Sequence, residues 1–166
     1  MEETADDLVE LQGLLDRSHA AAGEHLRSII THERRLTAPE VAAALPGMCL
    51  LALATATQRG EPRVGPVDAF FYRGRFWFGS SPTSARFRHL RTRPAVSATH
   101  VPDESLAVTV HGRAGIIDIG APEHAALRAI CLAQYGPEWN DWGAGAQYAR
   151  IDAHAMFTFR MVEGDA

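Results

Sequence analysis

The segment Ser80-Ser81-Pro82-Thr83-Ser84-Ala85-Arg86-Phe87-Arg88 concentrates four hydroxyls and two guanidinium groups where the pattern predicts a short helix to begin. A helix start presents unpaired backbone N–H groups and the positive end of the helix dipole, so hydroxyls and arginines there suit a phosphate or a similar anion. Arg63, on the strand expected upstream, can reach the same mouth. A plainer account makes Ser84 an N-cap and the arginines a solvated face, and the motif alone does not choose between the two.

Charge adds context. The 166 residues carry 20 acids against 16 basic side chains, every one of them arginine, for a net charge of −4. Eight of the arginines fall between positions 59 and 93, where the only acids are Glu61 and Asp68. The missing lysine points to a GC-rich, actinobacterial genome rather than to mechanism. Nucleic acid is not the expected partner of the basic stretch, because the chain is acidic overall and no recognition motif is present.

Other chemistries find less support. No order of serine, cysteine, histidine and aspartate suggests a nucleophilic triad. His25 and His32, with Glu24 and Glu33, read as a solvated helix face rather than a metal site. Cys49 and Cys131 sit in apolar runs without metal-like spacing, as reduced core thiols of a cytoplasmic protein would. The acidic amino terminus lacks a signal peptide's basic flank, and no run approaches the roughly 18 apolar residues of a membrane span. His111 reads as a structural histidine. Trp139 and Trp142 lie in a loop that either packs on the barrel end or serves as a lid or dimer contact.

The elements that must position these residues follow from periodicity. Leu8, Leu11, Leu14 and Leu15 recur at helical steps after a capping start at Thr4, and the helical pattern runs to about Leu36 with a break near Gly23. Thr37, Pro39 and Glu40 open a second helix that stops at Pro46-Gly47. From Met48 the period changes. Residues 48–57 form an apolar run expected as a strand buried on both faces. A hairpin follows over 63–79 with its turn at Arg73-Gly74, then a helix over 85–91 and a strand over 95–101. A long strand over 106–119 is expected to bulge at Gly112, followed by a helix from Pro122 to Tyr135 and a last strand over 147–161. Short connections exclude βαβ units, so the expected fold is mainly β: a six-stranded antiparallel barrel with short peripheral helices.

Residues 48–118 resemble the pyridoxamine-phosphate-oxidase-like, flavin-binding split β-barrel family. Four pieces in order carry the likeness: Leu51 to Thr57, Gly60 to Val67, Phe76 to Ser81, and Ser84 to Ser97, the last resembling the family's phosphate-binding helix. The resemblance implies a homodimer with two flavin sites, each built across the subunit interface. It places Arg63, Val64, Gly65, Pro66 and Val67 beside the ring or phosphate, and Gly79 and Ser80, with Ser81, along the floor. Ser84 and Arg86 would hold the phosphate with Arg88 nearby, while His111 and Trp139 or Trp142 could come from the partner chain. Such sites rarely use a catalytic side chain, since the cofactor carries the hydride and the protein orients it, and no catalytic residue is assigned.

Departures narrow the reading. Arg86 stands where lysine is usual, and Ala85 and Asp68 stand where true pyridoxamine-phosphate oxidases carry basic residues. The chain ends at Ala166 without those enzymes' arginine- and histidine-bearing tail, so vitamin B6 oxidation is not expected. The expectation is a cytoplasmic, homodimeric oxidoreductase that uses FMN on a small organic substrate. Coenzyme F-420 in place of FMN, or a non-catalytic flavin, deazaflavin or haem carrier, are the alternatives. Two units are expected: a helical extension over 1–47, its apolar stripe buried across the dimer, and the barrel over 48–166.

Overall fold

In the computed structural model, which describes residues 3–162, Thr4 caps helix α1 (Ala5–Ala21) by a reciprocal pair of hydrogen bonds with Asp7. Helix α2 (Glu24–Ile29) follows the break at Gly23, and α3 (Ala38–Ala44) begins at Thr37. Residues 163–166, assigned above to the barrel unit, lie outside the described residues. No described helix is long and apolar enough to cross a membrane.

Six antiparallel strands then close into a barrel in the order β1-β2-β3-β6-β5-β4. They are β1 (Met48–Ala56), β2 (Pro62–Tyr72), β3 (Arg75–Ser80), β4 (Ala95–Asp103), β5 (Leu106–Ile117) and β6 (Gln147–Arg160). Closure comes from β1 pairing with β4, Ala52 opposite Thr99 and Ala54 opposite Ser97. The β2–β3 hairpin turns at Arg73 and Gly74, both with positive φ (53° and 67°), the turn geometry that matches strand twist. Helix α4 (Ala85–Leu90) joins β3 to β4, while a 3-10 turn, α5 (Ala125–Tyr135) and α6 (Trp139–Trp142) join β5 to β6.

Three expectations need correction. Strand β1 is buried on one face only: Cys49, Leu51 and Leu53 point inward, whereas Leu50 is 55% exposed and Met48 38%. Its continuous apolar sequence therefore includes an outer face that the chain itself leaves uncovered. The register shift at Gly112 is real, but the extra residue, His154, lies on β6, since His111 pairs with Ala155 and Gly112 with Ala153. Glycine is required at 112 because a Cβ there would collide with the Asp152 carbonyl. Finally, the stripe of α1 is buried within its own chain: Leu11, Leu14 and Leu15 join a core that includes Leu51, Phe76, Phe78 and Ile151.

That docking is fastened by polar bonds over long sequence distances. The Ser18 hydroxyl donates to Leu14 O and accepts from the backbone N–H of Met156, and the N–H of Leu36 donates to Thr158 Oγ1. Ser18 and Thr158 are buried, so these bonds satisfy groups that water cannot reach. Glu40 ties α3 to the end of β6. Its Oε2 accepts the backbone N–H and the hydroxyl of Thr37, each at 2.7 Å, and its Oε1 accepts from Arg160 Nη1 at 2.7 Å.

These donors, the Thr37 N–H first, then its hydroxyl and Arg160, lower the Glu40 carboxyl from 4.5 to about 2. A depressed carboxyl stabilises the folded chain fully above its unfolded value, and this contribution is lost as pH falls through the folded one. Thermal unfolding followed between pH 5 and about pH 2 should thus show a loss of stability that is smaller in Glu40→Gln. The variant should also melt lower than the parent at pH 7. Parallel pH profiles for the two proteins would show that Glu40 contributes nothing.

Candidate functional site

Helix α4 has six residues, too short to persist alone, and its position is set by what it buries. Ser84 caps it by accepting the N–H of Phe87. Phe87 is fully buried and packs on Phe78, ring centroids 5.9 Å apart, while Leu90 is 2% exposed. Burying two such side chains stabilises the helix by about 1.5–3 kcal/mol each. The His89 ring nitrogen Nδ1 lies 2.9 Å from the Thr55 hydroxyl on β1, a further fixed point. With Phe87 held inside, its neighbour Arg86 extends to β2, where Nη2 donates to Pro66 O at 2.8 Å.

Arg86 lines a cavity of about 560 Å³ on the outer face of the β2–β3–β6 sheet. The sheet supplies Pro66, Asp68, Phe70, Gly79 and Tyr148, and the loop after β3 supplies Ser81. Helix α5 walls the other side with Leu127, Cys131 and Tyr135, and Trp142 of α6 stands at the rim, 53% exposed. Gly79 fits this floor because the Tyr148 ring lies across it; a Cβ there would come within 2.6 Å of that ring. Among the described lining residues Arg86 is the single cation and Asp68 the single carboxylate. Burial lowers the pKa of Arg86, a desolvation that an anion in the cavity would offset.

The expected site residues divide. Pro66, Val67, Gly79, Ser80, Ser81 and Arg86 meet at the cavity. Ser84 spends its hydroxyl on the helix cap. Arg88 donates to Thr83 O, and Arg91 to Pro82 O, so both brace the loop. Arg63 pairs with Glu61 at 2.8 Å in solvent. Val64 and Gly65 border a separate groove of about 340 Å³, shared with Leu50, Ala52 and Val101. His111 accepts or donates to Ser97 Oγ at 2.7 Å on the β4–β5 face, away from the cavity lining. Trp139 is 3% exposed with its indole N–H on the Tyr148 hydroxyl, whereas Trp142 reaches the cavity of its own chain.

Asp68, Cys131 and Tyr135 complete the wall without having been singled out as ligands. Asp68 stands out in the sequence only as a departure from a basic position, and Tyr135 only as a helix end. The Tyr135 hydroxyl donates to Asp68 Oδ2 at 3.2 Å, and burial, then the Asp68 charge, pushes its pKa well above the ordinary tyrosine range. Burial also raises Cys131 to about 11 and Tyr148 to about 12. All three stay protonated at neutral pH, so none acts there as a resident base or thiolate nucleophile. Chemically, such an arrangement can bind and orient a ligand.

Comparison with known proteins agrees with this geometry. No curated protein sequence is matched with significance. Solved structures share the fold at low identity. The haem storage protein HutZ from Vibrio cholerae is 19% identical, with 73% of this chain and 93% of that one covered and a TM-score of 0.63. A FAD-binding protein from Mesorhizobium loti is 22% identical, with 75% and 93% covered and a TM-score of 0.59. An F420 reductase is 17% identical, with 69% and 93% covered and a TM-score of 0.53. The family model described as pyridoxamine 5'-phosphate oxidase matches residues 37–165, from the last N-terminal helix through the final strand. A six-stranded closed barrel with its cavity beside a short arginine-bearing helix is what that match covers, and the chain belongs to the pyridoxamine 5'-phosphate oxidase family.

Proposed function

We propose that the protein is a homodimeric oxidoreductase that binds FMN in the cavity beside Arg86 and acts there on a small organic substrate. The observation that carries this reading is a 560 Å³ cavity with apolar walls and one partly buried guanidinium fixed at its edge. Phe70 and Tyr148 suit a flat aromatic ring system, and Arg86 with Ser80 and Ser81 suits a phosphate. Bound FMN would supply the hydride chemistry; the chain's part is to fix the ring, neutralise the phosphate and exclude water.

The dimer is proposed from the uncovered outer face. Leu50, Val64 and Val101, each more than half exposed, border the second groove on adjacent strands β1, β2 and β4. Pro66 lines that groove and the main cavity alike, so a second copy seated on the groove would border the cofactor site. An exposed apolar patch of this kind is a common mark of a protein interface.

The absorption spectrum of the purified protein, and its melting shift with FMN, F-420 or haem, test the cofactor. A flavin spectrum is expected; colourless protein stabilised by none of the three would overturn the assignment. Arg86→Ala should weaken FMN binding at least about tenfold, the loss of one charge-assisted contact. Arg88→Ala, which frees only a loop carbonyl, should change affinity far less. Equal losses would show that Arg86 has no special place.

For the dimer, Leu50→Glu combined with Val64→Glu should give a monomer by analytical ultracentrifugation, with its circular dichroism unchanged. A wild-type monomer would remove the dimer from the proposal.

A further inference from the structure

The cavity is electrically lopsided. Arg86 occupies one side and is committed to the Pro66 carbonyl, while Asp68, two residues along the same strand face, holds a carboxylate. Tyr135 donates to one carboxylate oxygen, Oδ2. The Tyr135 ring meets Trp142 at 73° with centroids 5.3 Å apart, and Phe70 at 82° with centroids 5.9 Å apart. A carboxylate beside aromatic rings set at steep angles is the arrangement that attracts a positively charged nitrogen. The charge pairs with the carboxylate, and the ring faces add a cation–π contribution that grows as water is excluded. Trp142 is more than half exposed, so its indole is open to a ligand, whereas Trp77 and Trp139 are buried in the packing.

We propose that the Asp68–Tyr135–Trp142 corner is the substrate subsite for a protonated amine, so that this corner selects amine substrates over carboxylate ones. This rests on the cavity being the substrate site of the function proposed above. An anionic group entering the corner would face the Asp68 charge first, since Arg86, the single cation of the described lining, is held at the Pro66 carbonyl. Tyr135 keeps its proton and therefore keeps Asp68 in place as an acceptor, leaving the second carboxylate oxygen for the incoming N–H.

The test titrates the full chain with benzylammonium, benzyl alcohol and benzoate at pH 7, with and without FMN, reading tryptophan fluorescence and confirming by calorimetry. Benzylammonium should bind at least about tenfold more tightly than benzoate, with benzyl alcohol between them. Asp68→Asn should abolish that preference, Asp68→Glu should restore much of it, and Tyr135→Phe, which keeps the ring and frees the carboxylate, should retain it. Melting temperatures of the variants check that the fold is kept. Absence of probe binding, equal or tighter binding of benzoate, or a preference that survives Asp68→Asn would overturn the proposal. An amine preference in protein that fails to take up FMN would sink the cofactor reading and leave the subsite standing. FMN uptake without the preference would do the reverse.

Discussion

The packing of Phe87 inside the barrel is the constraint on which the cavity depends. A six-residue helix has no stability of its own, and α4 exists where it does because Phe87 and Leu90 are buried against a core already holding Phe76 and Phe78. The direction of Arg86 follows from that anchorage: adjacent to a residue fixed in the interior, it points along the outer surface to the β2 backbone. The other arginines of the segment then fold back to the carbonyls of Thr83 and Pro82, stiffening the loop that leads in. An apolar contact thus decides which of several similar cations meets the cavity.

The opposite wall is assembled on a different principle. Helix α5 covers the sheet with Leu127 and Cys131, forming a second, smaller core with Phe70, Trp77, Trp139 and Tyr148. Its polar end, Tyr135 with Asp68, emerges at the rim of that core. The site therefore lies in the seam between two hydrophobic clusters. One of them orients a cation and the other a carboxylate, and each charge sits at the edge of a rigid packed surface rather than on a free loop.

Much of the scaffold is legible in the residues themselves. Strand ends are marked by Pro46-Gly47, Arg73-Gly74 and Pro94, and both capping starts, Thr4 with Asp7 and Thr37 with Glu40, are written three residues apart. What periodicity hides is which face of an apolar strand is covered, as β1 illustrates, because burial depends on neighbours distant in sequence. The arginines are illegible for another reason. A guanidinium reaches several ångströms, and its choice between Glu61, Thr83 O, Pro82 O and Pro66 O is settled only when those acceptors are in place. Asp68 and Tyr135 meet across 67 positions, and nothing local in the sequence pairs them.

The bonds from Ser18 to Met156 and from Leu36 to Thr158 span most of the chain. Strand β6 also lies between β3 and β5, so the ring is incomplete until the last of the described strands is in place. Until it arrives, α1 lacks the bond from Ser18 to Met156 and the part of its seat that β6 supplies. Late, non-local closure of this kind is slow and leaves apolar surface open to other molecules while it waits. The leucine face of the first helix is accordingly apolar surface whose full burial waits on residues more than a hundred positions away.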